Sequence, residues 1–170
     1  MIPFAEAPAT PWTWRRPHLW SRRYELRAGD ALLASLETRS VLSSVMVGET
    51  THGQWLLRHA GLLRGRVQVL VPGTGAELAA FRPRWFGAGD VTTAAGQSLR
   101  WHRADFWGRR WELADAGGLA RITFERMPAF LSPDTAVNVS EAARDDTELE
   151  PLVLLGFYLV LLMARQSHAV

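Results

Sequence analysis

The sequence contains no cysteine. A disulfide scaffold, a thiolate zinc site, a cysteine nucleophile and an iron–sulfur cluster are therefore excluded. It contains no lysine either, and all 19 basic residues are arginine. That removes Schiff-base and pyridoxal-phosphate chemistry through lysine, and with it any G-x-x-x-x-G-K-[ST] phosphate loop. With only two tyrosines, almost nothing titrates between histidine and tyrosine, whose ordinary values are about 6.5 and 10. The pI of 9.9 reflects those missing groups, because the formal net charge is only +2. A nucleic-acid binder usually carries a dense basic stripe, so no nucleic-acid partner is expected. Long apolar runs are scarce too. Met1–Thr10 lacks the basic start and apolar stretch of a secretory signal, which predicts a cytoplasmic protein.

What is present fits one globular domain: 170 residues, 48% hydrophobic and 21% charged, enough to bury roughly 70% of the unfolded surface. Charge is unevenly spread. Residues 1–66 hold nine Arg against five acids, 67–127 eight against six, and 128–170 two against six. The single long apolar segment, Pro151–Ala164, is uncharged for 14 residues. A bilayer span needs about 20, so a buried core helix is the stronger reading and a tail anchor the weaker one. Its apolar residues occupy every helical face, so protein or lipid must enclose it. Thr147 and Glu150 have capping-box spacing and Pro151 suits the first helical position, which predicts a helix over about 147–165.

Between Tyr24 and Arg126, short runs rich in Val, Leu, Trp and Phe alternate with polar residues between turn signals. The spacing predicts hairpins 24–28/31–37, 43–50/54–59, 65–71/76–82, 88–94/98–103 and 106–114/119–126. Their turn glycines, Gly29, Gly53, Gly75, Gly96 and Gly118, are 24, 22, 21 and 22 residues apart. A further strand near 136–140, a helical turn at 140–145 and one N-terminal strand bring the count to about twelve. Alternation points Val67, Val69, Val71, Leu99, Trp101, Trp111, Leu113, Ile122 and Phe124 inward. It points Arg66, Gln68, Arg100, His102, Arg110, Glu112, Arg121 and Glu125 outward. The expected fold is mainly β (α+β): a closed barrel of about twelve mostly antiparallel strands, wide enough to wrap one helix about 10 Å across.

Hairpins with apolar residues flanking a turn glycine, as in Leu26–Leu33, Leu70–Leu78 and Leu113–Ile122, lead here to an apolar helix such as Leu152–Met163. This pattern resembles the tubby C-terminal-like superfamily, and within it the phospholipid-scramblase and LURP-one-related branch, over about residues 20–166. The resemblance implies a closed twelve-stranded barrel around a hydrophobic C-terminal helix, and membrane-associated, non-enzymatic roles. The chain departs from those families in having no cysteine cluster to palmitoylate, no D-x-[DN]-x-[DN]-G calcium loop and no lysine pair for a phosphoinositide. Arg82-Pro83-Arg84 is a loose analogue of a basic headgroup clamp.

Two segments carry candidate binding chemistry. Residues 1–23 read as an arm outside the barrel domain (24–170), with Trp12, Trp14 and Trp20 interleaved with Arg15, Arg16, Arg22 and Arg23. Indole rings and guanidinium groups suit the headgroup layer of a bilayer, or a protein partner. The bland alternative is tryptophans packed on the barrel with solvated arginines. The stretch Arg82–Trp111 adds Arg82, Arg84, Arg100 and Arg110, with Arg109 on the same face as Trp107 and Trp111. The histidines have no metal-ligand spacing, and Ser43 and Ser44 lack a G-x-S-x-G elbow. No cofactor, metal or catalytic residue is predicted. The expectation is a binding module docking on anionic phospholipid headgroups or a membrane-proximal partner, peripheral to the membrane. The alternative is a structural or protein-interaction domain that associates with itself.

Overall fold

The computed structural model describes residues 1–39, 45–60, 65–128 and 134–167. Twelve strands form among them: β1 (Trp12–Arg15), β2 (Arg23–Ala28), β3 (Ala31–Thr38), β4 (Val45–Thr50), β5 (Gly53–Ala60) and β6 (Arg66–Leu70) in the first half. The second half adds β7 (Glu77–Pro83), β8 (Gly89–Thr93), β9 (Ser98–Arg103), β10 (Arg110–Ala114), β11 (Ala120–Arg126) and β12 (Thr135–Val139). A short helix α1 (Glu141–Arg144) and the long helix α2 (Leu149–Ser167) follow. Each strand pairs antiparallel with its sequence neighbour, and β1 also pairs with β12, Trp14 opposite Thr135. The meander therefore closes into a barrel with no free edge.

The five hairpins form where the glycine spacing predicts them, and all five turn glycines have positive φ, from 59° to 144°. An L side chain adopts that backbone only at a cost. Residues 43 and 44, Ser43 and Ser44 included, lie outside the described residues, so β4 is seen from Val45 onward. The strand expected from 106 begins at Arg110, because the backbone N–H of Arg110 bonds Asp105 Oδ1 (2.9 Å) and 105–109 becomes a loop. Of the predicted inward set, all but Val71 are buried. β6 ends at Leu70 after a register shift, which takes Val71 out of the alternation.

Part of the expected N-terminal arm is instead a strand of the barrel. Trp12 and Trp14 are each 1% exposed and belong to β1, the strand whose pairing with both β2 and β12 closes the wall. The physical reason is their spacing of two, which turns both rings to one face with Thr13 and Arg15 on the other. The preceding residues fold over the same end of the barrel. Phe4 packs edge-on against Trp12 with centroids 5.0 Å apart, and the Ile2 N–H bonds the Leu32 carbonyl.

Helix α2 threads the barrel. Every residue from Leu149 to Val160 is buried, a condition that a helix apolar on all faces needs. Phe157 stacks on Trp14 of β1 at 4.4 Å and meets Tyr24 of β2 edge-on at 5.2 Å. Leu154 abuts Gly48 of β4, Gly156 abuts Phe124 of β11, and the helix also packs against β5, β6 and β7. Each buried Leu, Val or Phe contributes about 1.5–3 kcal/mol. The helix starts at Leu149, between the two starts the sequence offers, and places Pro151 in the first turn, where its missing N–H is harmless. No helix among the described residues is long and apolar enough to cross a membrane.

Burial of Tyr158 raises its hydroxyl pKa above 10.0, with Arg165 opposing part of the rise. Its unfolded form therefore ionises first as pH increases, so the stability it carries is intact below pH 10 and declines above it. With no lysine or cysteine to mask the effect, urea midpoints are expected to fall above about pH 10. Tyr158→Phe is expected to flatten that fall; an unchanged alkaline profile in the variant would count against it.

Candidate functional site

In an up-and-down barrel the connections alternate between the two rims. The ends of β1, β3, β5, β7, β9 and β11 and the starts of β2, β4, β6, β8, β10 and β12 therefore share one rim, where α2 ends. The other rim holds the five glycine hairpins, the N-terminal segment and the start of α2. This parity collects scattered sequence features. Of nine large apolar side chains exposed among the described residues, seven lie on the α2-end rim. Leu19 and Trp20 come from β1–β2, Trp85 and Phe86 from β7–β8, Phe106 and Trp107 from β9–β10, and Met127 from the end of β11. Trp20 and Phe86 are 95% and 94% exposed. Phe86 also has a left-handed backbone, φ 55°, which bulky residues adopt only under strain.

The same rim is basic. Arg16 and Arg22 flank Trp20 around a cavity of about 450 Å³ that also reaches Arg165 of α2, whereas Arg15 ends β1 on its outward face, opposite Glu25. Arg16 donates to the Tyr24 hydroxyl and lies 4.7 Å over its ring, while Arg23, at the margin, sits 3.9 Å from Glu25. The second predicted group divides. Arg84 reaches the rim but is held by Asp90 at 2.6 Å, with Arg82 and Arg100 beside Asp90 on the outer wall. Arg110 also belongs to the wall, paired with Glu112 at 2.9 Å, which His102 approaches to 3.5 Å. Trp101 and Trp111 are core, stacked at 5.4 Å, whereas Trp85 and Trp107 are exposed. The expected contacts Trp12 and Trp14 are also core, so Trp20 alone of that set faces solvent.

The sequence drew attention to Arg109 by its place on the face of Trp107 and Trp111, but it did not bring Arg109 together with Arg103 and Arg126. The three line a second rim cavity of about 450 Å³ between the β7–β8 and β9–β10 loops, over Val160 and Met163 of α2. Strand parity was the available signal: every odd-numbered strand ends, and every even-numbered strand begins, at this rim.

The opposite rim is acidic. Glu141, Asp145, Asp146, Glu148 and Glu150 gather where α1 meets α2, at the helix end whose dipole favours negative charge. Glu150 is buried; it accepts from Thr50 Oγ1 at 2.6 Å and lies 2.7 Å from His52 Nδ1. Thr50 Oγ1 also accepts from the His52 backbone N–H (3.2 Å) and from Trp55 Nε1 (3.3 Å). A hydroxyl so engaged is a poor nucleophile, and the cluster instead pins the start of α2 to the β4–β5 turn. A cavity of about 490 Å³ opens beside it, lined mainly by apolar groups including Phe4, Trp55 and Leu78. Among the described residues no three His, Asp or Glu side chains come together as a metal site.

Compared with family models, curated proteins and solved structures, the chain finds no match.

Proposed function

We propose that this chain is a non-enzymatic docking module that seats its α2-end rim on an anionic phospholipid surface, as a peripheral protein. The observation that carries the reading is the coincidence of exposed aromatics and arginines on one rim, opposite an acidic one. Aromatic side chains partition into the headgroup layer, and guanidinium groups pair with its phosphates. The wall is unsuited to insertion, since outward positions such as Arg100, Glu112 and Glu125 are polar at least in part to solvent, the reverse of a lipid-facing barrel. A closed twelve-stranded barrel around an apolar helix supports placing the chain among tubby-like barrels.

Co-sedimentation tests this directly, with phosphatidylcholine vesicles against vesicles also containing phosphatidylserine, at low and high salt. Binding is expected only to the anionic vesicles and is weakened by salt. Each of Arg16→Gln and Arg22→Gln is expected to lower it about fivefold, from roughly 1 kcal/mol per basic residue near an anionic leaflet. Trp20→Ala and Phe86→Ala are expected to lower it at either salt concentration. Failure of the unmodified chain to bind anionic vesicles would end the lipid reading.

The acidic rim favours a second reading, head-to-tail association in which one copy's acidic rim meets another's basic rim. Sedimentation equilibrium showing a concentration-dependent mass that salt and Arg22→Gln reduce would select it. Truncating the first 20 residues is no test, because it removes β1 and opens the barrel.

A further inference from the structure

We infer that the cavity lined by Arg103, Arg109 and Arg126 is a binding site for a phosphomonoester. This deepens the docking reading, and its lipid arm rests on that reading.

Three neighbouring strand ends build the site. Arg103 closes β9, Arg109 directly precedes β10 and Arg126 closes β11. Their backbones are cross-tied: the Arg126 N–H bonds the Arg109 carbonyl at 2.8 Å, and Trp111 stands opposite Arg103 in register. The loop between them is fixed by the Trp111 indole, which donates to the Gly108 carbonyl at 3.2 Å. Gly108 has φ 68°, and a Cβ there would lie 3.4 Å from the Arg103 stem. The frame thus holds three side chains around one space.

Among the described residues no carboxylate comes within 4.0 Å of these three guanidinium groups, while Arg84 and Arg110 close by each have an acidic partner. The nearest acid in the loop, Asp105, accepts from the Arg110 backbone instead. Like charges gathered in one cavity repel, and a dianion is the ligand that relieves this. Each guanidinium offers planar, forked donors that match phosphate oxygens two at a time. The floor is apolar (Val160, Met163 and Trp111), and exposed Trp107 and Phe86 form the walls. Low polarity beneath the anion strengthens each contact. The space of about 450 Å³ leaves room for the group esterified to the phosphate.

A phosphomonoester can arrive on a lipid or on a soluble molecule, and the test separates the two. The soluble probe is glycerol 3-phosphate, followed by calorimetry and by the indole NMR signal of Trp107. The membrane probe is phosphatidylcholine vesicles carrying phosphatidic acid, compared at matched surface charge with vesicles carrying phosphatidylserine. Saturable binding of glycerol 3-phosphate is expected, weakened about tenfold by Arg109→Gln, as for loss of one charge-assisted bond. The triple variant Arg103→Gln/Arg109→Gln/Arg126→Gln is expected to abolish it. Tighter binding to phosphatidic acid than to phosphatidylserine, lost in the triple variant, assigns the site to a lipid headgroup. Soluble binding without that preference assigns it to a free phosphate compound. Arg27→Gln, at the opposite rim beside the Gly29 turn, is the control and leaves both readouts unchanged. Absence of both soluble binding and phosphatidic-acid preference overturns the site, as does their persistence in a folded triple variant. Binding to phosphatidylserine vesicles reports separately on the rim reading.

Discussion

Trp14→Ala is expected to cost about 3–5 kcal/mol, the range for truncating a large aromatic in a core. Such a loss is a large share of the roughly 5–15 kcal/mol that holds a domain folded. Trp14 is fully enclosed and lies parallel to Phe157 at 4.4 Å, joining the strand that closes the barrel to the helix that fills it. Removing the ring empties space between those two elements and leaves Tyr24 as the aromatic partner of Phe157 among the described residues. Trp14→Phe is expected to cost far less. The Trp14 indole N–H is buried with no acceptor among the described residues, so phenylalanine keeps a stacked ring and removes an unmet donor. Urea denaturation of the three proteins measures both steps. An alanine variant within 1 kcal/mol of the parent, a figure well below the usual range of about 3–5, would mean that the stack of Trp14 on Phe157 does not tie β1 to α2.

Gly156 is the second large effect. Glycine inside a helix is about 1 kcal/mol worse than alanine, so intrinsic propensity alone makes Gly156→Ala stabilising. Packing reverses the sign. A Cβ on Gly156 would overlap the Phe124 ring, which is itself fully buried and packed against Trp101 with centroids 5.7 Å apart. Overfilling a tight core costs about 1–3 kcal/mol, so Gly156→Ala is expected to destabilise and Gly156→Val to do so severely. Phe124→Leu should relieve part of this clash. In the double-mutant cycle, Gly156→Ala is then expected to cost less in the Phe124→Leu background than in the parent. Additive effects in that cycle would show that Phe124 is not what the glycine accommodates.

Much of the fold was legible because it is written in local chemistry. Glycine at Gly29, Gly53, Gly75, Gly96 and Gly118 marks turns by backbone freedom alone, and alternation sorts strand faces one residue at a time. The α2 segment reads as enclosed because it offers no polar face. The N-terminal strand was harder. Trp12-Thr13-Trp14-Arg15 alternates as a strand does, but the neighbouring Arg16, Arg22 and Trp20 make the same stretch read as an interfacial arm. The contacts that decide between these, with Val137 and Phe157, lie more than 120 residues away.

The candidate site was legible only in part, for the same reason. Arg16, Arg22 and Trp20 were visible as a cluster because they are close in sequence. Arg103, Arg109 and Arg126 converge because three strands end together, which depends on register and not on composition. Arg110, one residue beyond Arg109, goes to the wall and pairs with Glu112. Likewise His52 and Glu150 are 98 positions apart and meet only because α2 begins beneath the β4–β5 turn.

The order of elements along the chain also constrains how the molecule is made. All twelve strands are synthesised before the helix that they surround. A nascent chain therefore holds a complete set of hairpins with nothing to close upon, and their apolar faces must wait. Hairpins such as β2–β3 can form early, since their partners are adjacent in sequence. Ring closure between β1 and β12 and insertion of α2 join the most distant parts of the chain, and contacts of that separation form slowly. The barrel is thus expected to assemble late and in one step, with the helix acting as the template that ends the waiting.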